Sequence, residues 1–336
     1  MTNRQTVTAA AALALVVGAV TFAAGFGTRG LIQATPTAPT VHARPFAPPP
    51  DAAIPRDELG KQIALGRLIF TDTAHMAPRF VGNDLACSNC HLDAGRRPNA
   101  APLWAAYGLF PQYRAKNGHV NTFAERVQEC FKYSMNGRAP APGDPVLVAI
   151  ESYAAFLAKG ATVGVRMPGQ GYPKLAKPAV TADYARGQAV YLANCARCHG
   201  QDGGGQRDGD RTRIPPLWGS RSFNWGAGMA DRPNAAGFIS ANMPQDQPGT
   251  LTTQRAWDVA TYIDSQPRPQ DPRYTGSVAE TRRRFHGNGQ STYGQLVGGV
   301  LLGGDGPPKR TTAAGSGSGA IRSSTWRTPE PSPNPG

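Results

Sequence analysis

Apolar residues recur at helical spacing in several stretches of the chain. From Arg56 to Phe70, Leu59, Ile63 and Leu68-Ile69 mark one face of a helix. Pro145 to Leu157 repeats the period with Val146, Ala149-Ile150, Tyr153 and Phe156-Leu157. Asp183 to Leu192 and Arg255 to Ile263, the latter carrying Trp257, Val259-Ala260 and Tyr262-Ile263, form a second such pair. Alternating apolar runs of the kind that build half-buried strands are lacking, so the pattern predicts an all-α fold. The order helix, cysteine box, long loop, helix occurs twice, a weak internal repeat that predicts two domains.

Where the pattern fails, the composition changes. Thr6 to Gly27 is almost free of charge, rich in Ala, Val and Leu, and preceded by Arg4. It reads as an export signal with Val41-His42-Ala43 as a cleavage candidate, or as an uncleaved anchor, because the run is about long enough to span a bilayer. Ala34 to Pro50 is Pro/Ala/Thr-rich and reads as an extended linker. Gly164 to Pro178 reads as a second linker. After Arg273 the apolar pattern fades, and Gly298 to Gly336 is dominated by Gly, Pro, Ser and Thr, which predicts a disordered tail. The expected division is therefore 1–50 signal or anchor plus linker, 51–163 first box-bearing domain, 164–180 linker, 181–275 second box-bearing domain and 276–336 disordered tail.

The boxes point to the cofactor. Cys87-Ser88-Asn89-Cys90-His91 and Cys195-Ala196-Arg197-Cys198-His199 are Cys-x-x-Cys-His attachment signatures, predicting two covalently attached haem c groups, one in each domain. Two thiols form thioethers to each haem, and His91 and His199 reach the irons as axial ligands. Zinc would require four convergent ligands, and a redox dithiol would follow a strand in a βαβ unit; neither context is present. The chain's 336 residues and formal charge of +13 carry no nucleic-acid motif. A solvated basic surface or an anionic substrate or redox partner fits the charge.

The sixth ligands are less evenly readable. Met243, in Ala241-Asn242-Met243-Pro244, lies 44 residues beyond His199, just before the last periodic helix, where a distal methionine belongs. Met229 is its rival. In the first domain the candidates are His119, Cys130 and Met135, and Met135 also lies 44 residues beyond its box histidine. Asn121-Thr122 followed by Glu125 reads as a capping box opening a helix to Tyr133. Arg126 and Cys130 then share one face with Phe123 and Val127, and a guanidinium one turn away favours a thiolate. The plain alternative is that Cys130 is a small buried hydrophobe. The residues alone leave ligand and hydrophobe level.

Three segments carry a resemblance. Cys90-His91-Leu92-Asp93-Ala94-Gly95-Arg96-Arg97-Pro98, Gly108-Leu109-Phe110-Pro111 and Cys130-Phe131-Lys132-Tyr133-Ser134-Met135-Asn136-Gly137 resemble the thiosulfate dehydrogenase family of dihaem c-type cytochromes, over roughly Pro55 to Pro272. The resemblance implies two cytochrome c-like domains in tandem, a catalytic haem ligated by His91 and Cys130, and an electron-relaying haem ligated by His199 and Met243. It implies an enzyme joining two thiosulfates into tetrathionate, reversibly or not, with electrons leaving to an acceptor such as another cytochrome c; the export segment and haem c attachment outside the cytoplasm predict a periplasmic location. Members described with a lysine able to replace the distal methionine are not matched here, since no Lys falls between His199 and Met243.

A dianionic substrate needs fixed cations, and the first domain offers Arg96, Arg97, Arg114, Lys116, Arg126 and Arg138. Arg96 and Arg126, with Arg114 next, are the expected substrate cations, each with a plain rival role of pairing a haem propionate or lying in solvent, and Cys130 is the expected catalytic thiol. Two other readings remain: a non-catalytic dihaem carrier with Met135 on the first iron, and a sulfur-compound cytochrome subunit whose cysteine bears a persulfide.

Overall fold

The structure is a computed structural model that describes residues 45–304. The expected signal or anchor segment lies outside the described residues. Among the described residues no helix is long and apolar enough to cross a membrane.

Ten helical segments follow in chain order among the described residues: α1 Glu58–Thr71, α2 Thr73–Met76, α3 Leu92–Gly95, α4 Phe123–Tyr133, α5 Pro145–Leu157, α6 Tyr184–Asn194, α7 Ala196–His199, α8 Arg232–Asn242, α9 Thr253–Asp264 and α10 Val278–Phe285. Strand among those residues is confined to three two-stranded antiparallel hairpins: β1 Gln112–Arg114 with β2 His119–Asn121, β3 Gln206–Asp208 with β4 Arg211–Ile214, and β5 Leu296–Val297 with β6 Val300–Leu301. The helix-rich expectation therefore holds.

The two periodic pairs pack as the repeat predicts, α1 against α5 and α6 against α9. Each crossing is set by a glycine. A Cβ on Gly66 would sit 1.9 Å from the Ala149 carbonyl oxygen, and one on Gly187 would sit 2.0 Å from that of Asp258. Only a residue without a side chain lets the backbones approach so closely. Ile63, Ile69, Phe70, Ile150, Tyr153 and Leu157 fill the first core, and Val190, Tyr191, Ile239, Val259, Ala260 and Tyr262 the second. Side chains cap the helices: Asp57, Thr122, Asp183 and Thr252 each accept a backbone N–H of the first turn, Thr122 as read from the sequence.

Residues 276–304 correct the expectation of disorder. α10 and the β5–β6 hairpin fold back on the first core, where Tyr293 and Leu302 are buried. Polar bonds tie them down as well: His286 pairs with Asp271 at 2.9 Å, and the Tyr293 hydroxyl donates to Gln270 at 2.9 Å. Hydropathy periodicity does not register such anchors. Residues 305–336 lie outside the described residues.

Candidate functional site

The first box opens a cavity. Cys87–Asn89 is a single 3-10 turn, and Cys90 continues it, so His91 follows both thiols at once. Behind it, Asp93 and Ala94 adopt positive φ and turn the chain sharply. His91 Nδ1 donates to the Ala101 carbonyl at 2.6 Å, which leaves Nε2 as a lone-pair donor. Burial pulls the imidazole below its ordinary pKa and keeps it neutral. Burial, reinforced by neighbouring charge on Cys130, pushes the Cys87 and Cys90 thiols up to about 12.

The cavity measures about 360 Å³, a size typical of small-ligand and cofactor sites. Phe70, Leu85, Leu103, Phe110, Phe123, Val127, Ile150 and Phe223 give it apolar walls. Cys130 lines it from α4, and the buried Met135 lines it from the turn that follows that helix. The capping box sets the phase of that helix: Glu125 N donates to Thr122 Oγ1 at 3.2 Å and Thr122 N to Glu125 Oε2 at 2.6 Å. Two attachment thiols, a free imidazole nitrogen, two further sulfurs in the lining and apolar walls fit a haem c.

Three guanidiniums line the same cavity: Arg114 from β1, Arg126 from α4 and Arg166 from the segment after α5. Charge on Cys130 is the main cause that raises Arg126, which also pairs with Glu129 at 3.4 Å. Arg114 is drawn down by burial and then by Arg126, with Arg166 adding to the repulsion. Like charges gathered on one wall destabilise the empty site and favour an anion in it. Tyr172 joins them, its phenol held neutral by burial.

The second box is built alike. Cys195 caps α6 and α7 carries Cys198 and His199. His199 Nδ1 meets the Pro215 carbonyl at 3.0 Å, and burial lowers its pKa. Met243 stands at the C-terminal cap of α8. It packs against the same core as Cys195, Leu217 and Trp218. Met229 lines the His91 cavity and touches both cores, so it belongs to the wall between the two sites.

Residues 182–263, covering α6 to α9, match the family model described as cytochrome c oxidase, cbb3-type, subunit III. A thiosulfate dehydrogenase from Thiomonas intermedia is 54% identical over 264 residues, 79% of this chain and 84% of that protein. The chain belongs to the thiosulfate dehydrogenase family. A thiosulfate dehydrogenase from Stutzerimonas stutzeri is 48% identical, over 77% of this chain and 85% of that one. The solved thiosulfate dehydrogenase (TsdBA) from Marichromatium purpuratum in its "as isolated" form superposes with a TM-score of 0.74 at 47% identity. It matches 77% of this chain, which spans 57% of that one. The cytochrome match and the Cys87-Cys90-His91 cavity agree on haem c as the cofactor.

For this thiosulfate dehydrogenase family member the arginine expectation divides. Arg114 and Arg126 reach the cavity. Arg96 is not among its lining residues and is withdrawn as a substrate cation. Its guanidinium is spent on the fold, donating to Tyr153 Oη at 2.7 Å, to the Pro49 carbonyl at 3.1 Å and to Asp51 at 2.5 Å. Arg138 donates to the Arg79 carbonyl at 2.7 Å, and Lys116 donates to the Gly226 carbonyl beside the Tyr133 ring. Arg166, Gln170 and Tyr172 escaped sequence reading because they lie in a Gly/Pro-rich stretch that reads as a linker. The buried Met167 fastens that stretch to Trp104.

Proposed function

We propose that the chain consists of two cytochrome c-like domains in tandem, each holding one covalent haem c, and joins two thiosulfate ions into tetrathionate. In this reading His91 and Cys130 ligate the catalytic haem, His199 and Met243 ligate a second, and electrons leave to an external acceptor such as another cytochrome c. The observation that carries it is one cavity in which His91, Cys130 and three guanidiniums meet. The enzyme works in the periplasm, since haem c is attached outside the cytoplasm.

Arg114, Arg126 and Arg166 hold the sulfonate ends of the substrate and screen two dianions from each other. Arg126, one turn before Cys130, stabilises negative charge on that sulfur. The Cys130 thiolate bonds to the sulfane sulfur of a first thiosulfate, giving Cys–S–S–SO3⁻ and releasing two electrons. Haem c, when bound, would supply a one-electron acceptor at each of the two box sites, so the two electrons would leave singly to the external acceptor. A second thiosulfate attacks the sulfane sulfur of the adduct, tetrathionate departs with two negative charges, and Cys130 returns as thiolate. Atoms and charge balance without a proton, so the dry walls serve to exclude water from the adduct.

The test is thiosulfate-dependent reduction of ferricyanide or a cytochrome c by the holoprotein, with tetrathionate measured. One tetrathionate per two electrons is expected. Reduction without tetrathionate, or no reduction, refutes the reading.

A further inference from the structure

The helix that carries Cys130 does not end on its own resources. The last carbonyls of a helix lack intrahelical donors and must be met from elsewhere. In α4 the Cys130 and Phe131 carbonyls are met locally, by the N–H groups of Met135 and Gly137 at 2.9 Å each. The Lys132 carbonyl instead accepts from the side-chain amide of Asn224 at 3.0 Å, and the Tyr133 carbonyl is shared, accepting from the backbone N–H of Asn136 at 3.4 Å and from that of Asn224 at 3.3 Å. The same amide donates to Asn136 Oδ1 at 3.0 Å, while its own oxygen accepts from Gly226 N at 3.0 Å.

Asn224 is fully buried. It lies in the loop between β4 and α8, far along the chain from α4. The approach is close: a Cβ on Gly226 would fall 2.4 Å from the Tyr133 ring. Asn83 holds the same turn from the other side, donating to the Ser134 carbonyl at 2.8 Å and to that of Ser222 at 3.2 Å.

The turn pinned in this way is the one that separates two sulfurs. Cys130 and Met135 both line the His91 cavity. Four residues of helix end and turn, Phe131 to Ser134, lie between them. We infer that Asn224 is a positioning residue that fixes the axial and rotational setting of α4, so that Cys130 and not Met135 stands opposite His91. The inference rests on the proposed His91/Cys130 ligation. Through Asn224 the second half of the chain sets the ligand of the first site.

Asn224→Asp tests it. The variant keeps the shape and the bond from Gly226 N but turns both donated hydrogen bonds into oxygen–oxygen contacts with the Lys132 carbonyl and Asn136. The readout is the oxidised spectrum of the holoprotein: the low-spin thiolate signal and the methionine-type near-infrared band. Most of the thiolate signal is expected to be lost, the methionine band to gain intensity, and tetrathionate formation to fall at least tenfold. Adding Met135→Leu removes the competing sulfur and is expected to restore the thiolate signal, with the melting temperature still at the value of the single variant. A melting temperature that falls while the thiolate signal stays at the wild-type level overturns the inference and leaves the Cys130 reading intact. A wild-type protein without a thiolate signal overturns both. If Asn224→Asp does not acquire haem, Asn136→Ala, which removes one acceptor only, takes the same readouts with the same two outcomes.

Discussion

Arg114→Gln separates binding from folding. Arg114 stands on β1 at the cavity wall, half-buried, with Arg126 and Arg166 repelling it and burial disfavouring its charge. In the absence of substrate it is a liability. Removing it relieves repulsion, so the melting temperature is expected to hold or rise slightly. With a dianion present the balance reverses. A hydrogen bond to a charged group contributes about 1.5–3 kcal/mol, and exposure at the mouth places Arg114 near the lower figure. Since about 1.4 kcal/mol is tenfold, kcat/KM for thiosulfate is expected to fall by roughly ten. The loss should appear chiefly in KM, because the guanidinium binds the substrate's anionic end and not the sulfur that reacts. The assay is steady-state ferricyanide reduction across thiosulfate concentrations, paired with a thermal melt of the same preparation. An unchanged kcat/KM together with a lowered melting temperature would show Arg114 to be structural and would refute the reasoning.

Further outcomes follow from the same geometry. Gly66→Ala drives a methyl into the Ala149 carbonyl and is expected to cost about 3 kcal/mol, the upper end of overpacking, read as a melting temperature lower by about 6–12 °C. Thr122→Ala removes one arm of the capping box and should cost about 1 kcal/mol in a denaturant titration while leaving KM for thiosulfate unchanged. Lys116 is exposed along its stem, but its ammonium is enclosed, and burial pulls its pKa down to about 8. The unfolded chain therefore holds that proton more tightly, so stability rises as pH climbs from about 8 towards the ordinary lysine value. Lys116→Met should flatten that rise in melts taken across the range; an undiminished slope would assign it to another group.

Sequence legibility follows the kind of interaction involved. The α1–α5 and α6–α9 pairs, both haem boxes and the cap at Thr122 rest on periodicity or short-range spacing, and all are found where the pattern puts them. Arg96 and Arg166 show the opposite case. Arg96 sits in a conspicuous Gly-Arg-Arg-Pro run, yet its partners Asp51, Pro49 and Tyr153 are remote in sequence, so nothing local reveals that its guanidinium is tied up in the fold. Arg166 lies among glycines and prolines that carry no periodic signal, and only the packing of Met167 on Trp104 brings that stretch to the cavity. Residues 276–304 are held by Asp271, His286 and Gln270 through polar bonds, which a hydropathy pattern does not see. The choice between Cys130 and Met135 stays open in sequence, because equal spacing from the two box histidines favours Met135 while the face shared with Arg126 favours Cys130. Asn224, which pins the turn between them, is 94 residues from Cys130 along the chain.

The central claim is that Cys130 performs the sulfur chemistry. The most direct test is the rate of tetrathionate formation from thiosulfate by Cys130→Ala, in a preparation shown by mass to carry both haems. The rate is expected to collapse while the His199 site remains reducible by dithionite. Tetrathionate formed at the wild-type rate would contradict it.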